Sequence, residues 1–456
     1  MYLEYWIHNN VKEAAETDPG LRTPYSGSGE SLRRSDIERY HNYRLSQVVN
    51  YAYRHSLFYR ELFETSGLSP ADIRRPGDLP KLPFTESHHL AESPYSFLCT
   101  SQSEIARPHT FVTSGTTGPR KKIFWTRRDL ERIIDFMSAG IGTVAKPQDV
   151  VLIMLPDGRD YSQADLLRRG VKRFGATPVV AEMDIGVLGL KKMVEDVQPS
   201  VIFGYTRHLF RLSRDLQLRE DMRGKKVRTL FLAAEYLPPG MRSELEKIWD
   251  CSVHTHYGLT EMGLGVAVEC DARNGYHFNE ADLLLEVVNP HTGEPVEPGQ
   301  EGELVFTTLN REAMPLIRYR TNDISRLIKV PCPCGAKSLL KIGAVKKRLG
   351  TILQIGAGDE IFPAYFDDLL FEVPGIIDYQ LIVTRRNNRD QLGFRIETMT
   401  KSSKTTSAIR EKLLSSPLIA RNIAAETMAP PRIEMVAWGT LQTLGREKRM
   451  ITDSRQ

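Results

Sequence analysis

The apolar run Val150-Val151-Leu152-Ile153-Met154-Leu155 opens the stretch that decides the fold. Amphipathic and apolar segments alternate after it, with helical patterns over 163–174, 187–197 and 206–216 and strand patterns over 177–180, 200–204 and 227–233. Short apolar runs separated by longer amphipathic stretches are typical of βαβ units. The sequence therefore predicts an α/β domain with a parallel sheet, helices on both faces and ligands at the carboxyl ends of its strands.

The pattern changes on either side of this region. Upstream, residues 35–66 carry helical spacing of apolar residues, and downstream short strands over 283–288, 302–308 and 324–328 predict a β-rich part. A smaller α+β pattern follows, with strands over 351–355, 379–384 and 392–398 and helices over 363–372 and 407–414. We therefore expect a large domain over 1–343, its β-rich part at about 283–343, and a small mobile C-terminal domain over 344–456.

Composition excludes several classes of protein. The chain has 456 residues, 41% of them hydrophobic and 26% charged, as in ordinary globular proteins with several domains. A net charge of +4 without a block of like charges argues against a nucleic-acid or membrane partner. Without an eighteen-residue apolar stretch or a basic-then-apolar leader, we expect a cytoplasmic protein. Five cysteines do not suggest a disulfide scaffold.

A glycine- and hydroxyl-rich run is the first motif with chemical content. It reads Thr113-Ser114-Gly115-Thr116-Thr117-Gly118 and is followed, after Pro119, by Arg120, Lys121 and Lys122. Glycine lets the backbone approach a polyanion, hydroxyl and N–H groups donate to phosphate oxygens, and the cations neutralise charge. The run does not match the Walker pattern. It predicts a phosphate-binding loop between two strands, although an isolated loop of this composition can also be a plain turn.

Three further motifs follow in a fixed order. They are Tyr257-Gly258-Leu259-Thr260-Glu261 after a strand pattern, Arg318-Tyr319-Arg320-Thr321-Asn322-Asp323, and Gly445-Arg446-Glu447-Lys448-Arg449. The four motifs together resemble the adenylate-forming superfamily of acyl-CoA synthetases, in particular its phenylacetate–coenzyme A ligase-like branch. The resemblance extends from about residue 35 to the C-terminus.

The resemblance implies a reaction and its cofactors. Such enzymes use ATP and Mg²⁺ to convert a carboxylic acid to an acyl-adenylate, and coenzyme A is the expected acceptor. The loop 113–118 and Lys121 would then hold the β and γ phosphates, where charge develops on the leaving group. Tyr257 and Gly258 would contact adenine, and the segment Ala234-Glu235-Tyr236 matches one that lines the adenine and acyl pockets.

Three polar residues receive the remaining nucleotide roles from the same resemblance. Thr260 would donate to the α-phosphate, and Glu261 would hold Mg²⁺, which prefers oxygen ligands. Asp323 would accept both ribose hydroxyl groups. Each residue alone has an ordinary structural explanation, such as a turn residue or a surface carboxylate.

The sequence departs from the family pattern at two places. Arg446 follows Gly445 where family members carry a catalytic lysine, and arginine is a forked, bulkier cation. Lys448 lies two residues further on and is the alternative candidate. At the hinge, Ala344 follows Gly343, and Lys346 and Lys347 occupy the positions that are usually acidic. The efficiency of adenylation and the identity of the acceptor therefore stay open.

Four residues suggest a metal site. Cys332-Pro333-Cys334-Gly335 presents two thiols in a turn, and Cys270 and His277 supply a third sulfur and an imidazole. Three sulfurs and one nitrogen satisfy tetrahedral Zn²⁺ without an open position, so the site would be structural. The ligase-like branch is similar here, which favours zinc over the alternative of free thiols in a β-turn.

The acyl pocket is the least determined part. By resemblance, Tyr161, Tyr205, Tyr236, His256 and Met262 would contact the acid. The nearby stretch Pro156-Asp157-Gly158-Arg159-Asp160-Tyr161 carries two acids and an arginine. It favours an acid more polar than phenylacetate, such as a hydroxy- or amino-substituted aryl acid, unless these charges face solvent.

Two classes of function are consistent with these observations. The leading hypothesis is an AMP-forming acid–thiol ligase for an aryl or small polar acid, with variants that transfer the acyl group to an amine, another nitrogen nucleophile or a carrier-protein thiol. The other is a catalytically weak, nucleotide-binding relative, since Arg446 and Ala344 break the family pattern. A homodimer is retained as an assembly to test.

Overall fold

The computed structural model describes residues 1–21, 33–111, 121–215, 225–399, 402–441 and 449–455. Contacts divide the chain into two compact units. The first unit joins Met1–Val180 to His254–Ala344, and the second joins Ala181–Val253 to Val345–Gln456. Among the described residues, no helix combines the length and apolarity that crossing a bilayer requires.

The described residues of the first unit form six α-helices and most of the short strands. Its helices are α1 Tyr2–Thr17, α2 Arg34–His55, α3 Leu57–Thr65, α4 Ser87–Glu92, α5 Arg127–Val144 and α6 Gln163–Phe174. Its strands are β1 Ile105–Phe111, β2 Lys121–Thr126, β3 Val150–Met154, β4 Thr177–Val180, β7 Ser252–Tyr257 (from His254 onward), β8 Ala267–Glu269, β9 Tyr276–Phe278, β10 Leu283–Val288, β11 Gly302–Thr308, β12 Tyr319–Ser325, β13 Leu327–Ile328 and β14 Lys341–Ile342.

Strands β3 and β4 are parallel and joined by α6, so the first predicted βαβ unit is confirmed. Ser162 caps α6 by accepting from the backbone N–H of Asp165, and Gly175 ends the helix in the left-handed region. α6 packs closely on α5, because a side chain at Gly170 would meet the backbone of Ser138 at 3.0 Å. Hairpin β1–β2 flanks the predicted phosphate loop, whose residues 113–118 lie outside the described part of the chain.

The β-rich part of the first unit consists of antiparallel strands. β10, β11 and β12 form one sheet, and β7, β8, β9, β14 and β13 pair in that order in another. The predicted strand over 324–328 is divided between β12 and β13. The predicted helix over 35–66 is also divided, because Ser56 leaves helical geometry and its side chain caps α3 by accepting from the N–H of Tyr59.

The second unit contains the remaining elements. Its helices are α7 Gly186–Val197, α8 Thr206–Arg214, α9 Pro239–Trp249, α10 Pro363–Leu370, α11 Ser403–Leu414 and α12 Pro417–Ala424. Its strands are β5 Val201–Tyr205, β6 Thr229–Ala233, β15 Lys347–Arg348, β16 Leu353–Ile355, β17 Asp359–Ile361, β18 Ile376–Arg386, β19 Arg389–Thr398, β20 Met428–Val436 and β21 Ile451–Ser454.

Two sheets organise the second unit. β5 and β6 are parallel with fully buried central residues, as the sequence predicts for an α/β sheet. β20, β19, β18 and β21 form a four-stranded sheet in which β18 and β19 are antiparallel and the outer strands are parallel to their neighbours. The α/β fold class is therefore confirmed. The second part of this unit begins at Val345, whereas the predicted boundary of a mobile domain at 344 stays a prediction.

Candidate functional site

The Tyr257–Glu261 motif forms a tight loop between two strands of the first unit. β7 ends at Tyr257, a short 3₁₀ turn covers Thr260–Met262, and the N–H of Leu264 donates to the carbonyl of Leu259 at 2.8 Å. A Cβ atom at position 258 would lie 1.9 Å from the carbonyl oxygen of Leu264. Only glycine fits at Gly258, so this residue has a structural role besides its predicted contact with adenine.

Glu261 extends from this turn into a buried polar cluster. Its carboxylate Oε1 accepts from the Nζ of Lys121 at 2.8 Å and from the hydroxyl of Tyr319 at 2.8 Å. Nζ of Lys121 and the Tyr319 hydroxyl are themselves 3.0 Å apart. Lys121 opens β2, and Tyr319 opens β12, so three separate elements place these groups together.

The charge of this cluster is set by the lysine. Burial raises the pKa of Glu261, but the attraction of Lys121 and the hydrogen bonds from Lys121 and Tyr319 outweigh it, so the pKa lies below its ordinary value. Glu261 is therefore an ionised carboxylate with only 4% of its surface exposed. An ionised, pre-positioned oxygen ligand is what a hard cation such as Mg²⁺ requires.

Tyr257 and Asp323 also meet in the first unit. The Tyr257 hydroxyl donates to Oδ2 of Asp323 at 2.7 Å, and Asp323 is buried. The N–H of the preceding Asn322, which has a positive φ of 64°, donates to the carboxylate of Glu303. The predicted adenine-contacting ring and the predicted ribose-binding carboxylate are thus adjacent, as one nucleoside would require.

Two residues of this region were missed by the sequence analysis. Tyr319 bonds to Glu261, and the only signal for it was its place inside the Arg-Tyr-Arg-Thr motif. Arg311 donates from a guanidinium N–H to the backbone carbonyl of Glu261 and so braces the turn that carries this carboxylate. Burial lowers the pKa of Arg311. No motif distinguished it from other charged residues.

The predicted acid-contacting residues have different surroundings. Met262 lines a cavity of about 40 Å³ with Trp125, Phe136 and Arg311. In the same unit the Tyr161 ring lies 4.6 Å from the guanidinium of Arg169.

The other three predicted acid-contacting residues lie on or just after strands. His256 lies on β7, and burial lowers its pKa to about 4, which keeps the imidazole neutral at neutral pH. Tyr205 ends β5, and Tyr236 follows β6, both in the second unit. The role of all five in binding an acid stays a prediction.

The segment after β6 contacts one acid, Asp368 of α10. Ala234 has a positive φ of 78°, a strained value for a residue with a Cβ atom. The Tyr236 hydroxyl donates to Asp368 at 2.8 Å, and Lys346 donates to the other oxygen of the same carboxylate at 2.7 Å. Lys346, which stands where the family pattern has an acidic residue, therefore forms an ion pair with Asp368 of α10.

Glu235 occupies a charged environment in the second unit. Burial raises its pKa, although Arg207 and Arg449 oppose this effect. Its Oε1 accepts from the backbone N–H of Arg449 at 3.2 Å and lies 3.6 Å from Arg207. Arg449 is the described end of the basic C-terminal motif. Arg446 and Lys448 lie outside the described residues, and their roles stay predictions.

The four predicted zinc ligands converge. Cys270 follows β8, His277 lies on β9, and Cys332 and Cys334 come from a turn; their ligand atoms all lie within 4.8 Å of one another. The Cys270 and Cys332 sulfurs are 3.6 Å apart, and the Cys334 sulfur is 3.4 Å from Nε2 of His277. Ideal tetrahedral zinc has edges of about 3.8 Å between sulfurs and about 3.6 Å between sulfur and nitrogen. The donor set and its spacing fit Zn²⁺.

Comparison with known proteins agrees with this geometry. Profiles of the AMP-binding enzyme family and of the AMP-binding enzyme C-terminal domain match residues 103–310 and 358–455. The chain is 30% identical to phenylacetate–coenzyme A ligase of Thermus thermophilus over 387 residues, covering 82% of this chain and 84% of the relative. The chain belongs to the phenylacetate–coenzyme A ligase family. The Escherichia coli ligase of the same name is also 30% identical, with 81% and 84% covered.

The fold of this family member agrees with solved structures. A 2-hydroxyisobutyryl-CoA ligase in the postadenylation state, in complex with R3-HIB-AMP, matches with a TM-score of 0.78 at 20% identity, covering 93% of this chain and 91% of that one. The family assignment confirms an AMP-forming acid–thiol ligase and supports adenylate formation followed by transfer to coenzyme A.

Proposed function

We propose that the protein uses ATP to activate an aryl or small polar carboxylic acid and transfers the acyl group to coenzyme A. The observation that carries this proposal is the buried Lys121–Glu261–Tyr319 cluster together with the Tyr257–Asp323 pair, all in the first unit. This arrangement combines an ionised carboxylate for a cation, a lysine for phosphate and a carboxylate for ribose.

Each of these groups has a task in the first half-reaction, in which the acid attacks the α-phosphorus and pyrophosphate leaves. Asp323 accepts from the ribose hydroxyls, and the Tyr257 ring contacts adenine. Thr260 donates to the α-phosphate, and Lys121 offsets charge on the leaving pyrophosphate. Mg²⁺ would neutralise phosphate charge when bound, and Glu261 is the residue that would hold it. In the second half-reaction the thiol attacks the acyl carbon and AMP leaves.

The three charged residues of the stretch 156–161, Asp157, Arg159 and Asp160, are exposed to solvent, so the expectation of a more polar acid has no support from this stretch. Asp157 accepts from the Ser162 hydroxyl at 2.8 Å, and Arg107 donates to the backbone carbonyl of Asp160. Arg107 is only 8% exposed. Its guanidinium binds the carbonyl of Asp160, so a panel of acids has to choose between substituted and unsubstituted acids.

We propose that the cluster of Cys270, His277, Cys332 and Cys334 holds one structural zinc ion per chain. Metal analysis of chelator-washed protein should find about one zinc, and Cys332→Ser should lower the melting temperature. Cys251→Ser is a control outside the cluster. Metal-free protein with the same stability as zinc-loaded protein would contradict this assignment.

We propose that the C-terminal domain over 344–456 changes orientation between the half-reactions, with Arg446 in the role of the family lysine. Arg446→Ala should then depress adenylate formation while ATP binding survives, and Arg446→Lys should equal or exceed the wild type. If Lys448→Ala is the damaging change instead, Lys448 has this role. Unchanged pyrophosphate release in both variants would remove this loop from catalysis.

The overall activity is tested by pyrophosphate release over a panel of hydroxy-, amino- and unsubstituted aryl acids and small polar acids. We expect acid-dependent release without coenzyme A, and faster turnover with AMP and an acyl thioester when coenzyme A is added. A product formed only with amines or a carrier-protein thiol would replace coenzyme A as acceptor. Nucleotide binding without pyrophosphate release for any acid would favour the weak, nucleotide-binding relative.

A further inference from the structure

Helix α8 of the second unit presents two arginines to the C-terminal sheet. Arg207 and Arg211 are four residues apart, so they lie on one face of the helix. Arg207 forms an ion pair with Asp378 of β18, and Arg211 with Glu397 of β19. Asp378 and Glu397 are direct cross-strand partners and are 5% and 0% exposed.

Two buried carboxylates opposite each other repel, so each needs a cation or hydrogen-bond donors. Both acids also have partners from the C-terminal part of the chain. Asp378 is paired with Arg449, the last residue of the basic motif. Glu397 accepts from the backbone N–H groups of Gly439 at 2.6 Å and Leu441 at 2.9 Å.

Because Asp378 and Glu397 each have a second partner, their ion pairs with α8 can break without leaving either carboxylate unpaired. Breaking a buried ion pair is expensive mainly because it leaves one charge uncompensated. If α8 and the C-terminal sheet separate, Asp378 keeps Arg449, Glu397 keeps its two backbone donors, and Arg207 keeps Glu235 at 3.6 Å. Arg211 becomes free to be hydrated. No carboxylate of the pair is left buried without a partner.

Arg214, a third arginine of α8, differs from Arg207 and Arg211 because its partner lies outside the C-terminal sheet. Arg214 is 5% exposed and pairs with Glu244 of α9, which belongs to the same N-terminal part of the second unit. Its ion pair would therefore persist whether or not the C-terminal sheet contacts α8.

We propose that Arg207 and Arg211 are positioning residues that form a releasable clasp between α8 and residues 345–455, closed in one half-reaction and open in the other. The clasp rests on the proposed function for its role in the cycle. It acts through Glu235 of the segment 234–236 and Arg449 of the basic C-terminal motif, rather than directly on the substrate.

The test compares Arg207→Met and Arg211→Met with Arg214→Met. We expect the ratio of pyrophosphate release to thioester formation to change at least about fivefold in the two clasp variants, the low end of typical coupling effects. Arg207→Lys and Arg211→Lys should restore part of this ratio. Arg214→Met should lower thermal stability and leave the ratio at the wild-type value.

Hydrogen exchange of the ligand-free protein provides a readout without catalysis. Amides of residues 437 and 438, where the Arg211 guanidinium lies 4.9 Å from the Trp438 ring, should exchange at least about fivefold faster in Arg211→Met, and not in Arg214→Met. The amides of Gly439 and Leu441 should stay protected, because they remain bound to Glu397. Clasp variants that match Arg214→Met in both measurements would overturn the proposal. If the wild type releases no pyrophosphate with any acid, the proposed function fails, whereas exchange still decides whether the clasp exists.

Discussion

Glu261 in the first unit and Asp378 in the second are both buried acids whose pKa lies below the ordinary value. For each, burial raises the pKa, and nearby cations lower it by more than burial raises it. The partners differ. Glu261 has one lysine and one tyrosine, whereas Asp378 has two arginines, Arg207 and Arg449.

This difference indicates what each site is for. Lysine is a compact point charge on a flexible stem, and it can give way to another cation at the carboxylate. Arginines bind through a planar fork and suit ion pairs that join packed elements. Under the proposed function, the lysine partner leaves Glu261 available to a ligand, whereas the arginine partners of Asp378 join segments of the second unit.

The largest expected effect concerns the ligand site. Glu261→Gln removes the ionised oxygen ligand but keeps the shape of the side chain, so adenylation should slow on the order of 10²-fold or more. Asp323→Ala should act in the same direction through the ribose contact. Pyrophosphate release measures the loss, and a nearly unchanged melting temperature is the control. Near-wild-type release would refute both roles.

The counterpart in the second unit should lose stability instead. Asp378→Asn leaves Arg207 and Arg449 facing a neutral amide, which should lower the free energy of unfolding by about 3 kcal/mol. Urea unfolding measures this change, and Asp453→Asn, an exposed acid of the same sheet, is the matched control. A variant as stable as the wild type would mean that the two sites do not differ as described.

The pH dependence of stability sharpens the comparison. The pKa of folded Glu261 is depressed, so its ionised form contributes stability above the unfolded value of about 4.3, which is lost as the pH falls through the folded pKa. Lys121→Met removes the cation that opposes burial and leaves hydrogen bonds such as the one from Tyr319. Its destabilisation should therefore be largest at neutral pH and shrink below about pH 4. A pH-independent difference in thermal unfolding would exclude charge as its cause.

The smallest effects are expected from removing one hydroxyl in each region. Tyr319→Phe deletes a hydrogen bond to Glu261, and Tyr379→Phe deletes one from the Tyr379 hydroxyl to Asp367 at 2.8 Å. Each should cost about 1 kcal/mol. In Tyr319→Phe the loss should appear severalfold in adenylation, and in Tyr379→Phe in unfolding alone. If both variants changed adenylation and unfolding equally, the proposed difference between the two sites would be wrong.

Local patterns were sufficient for much of the fold. The helix over 163–174 and the strands over 177–180, 283–288 and 302–308 have the predicted bounds, because amphipathic periodicity, a serine cap and terminal glycine specify them locally. The division of the predicted helix over 35–66 was missed, since Ser56 is an ordinary residue in a helical pattern and its capping contact is visible only in space.

The sequence alone determined the family resemblance, the nucleotide motifs and the four-residue metal cluster, because these depend on residue types at fixed spacing. Only the tertiary structure decided that Lys121 and Tyr319 share the carboxylate of Glu261, and that Arg207 and Arg211 meet Asp378 and Glu397. Those partners lie far apart in the chain. Their pairing follows from strand register and helix packing, and nothing in the local sequence distinguishes a buried ion pair from solvated surface charges.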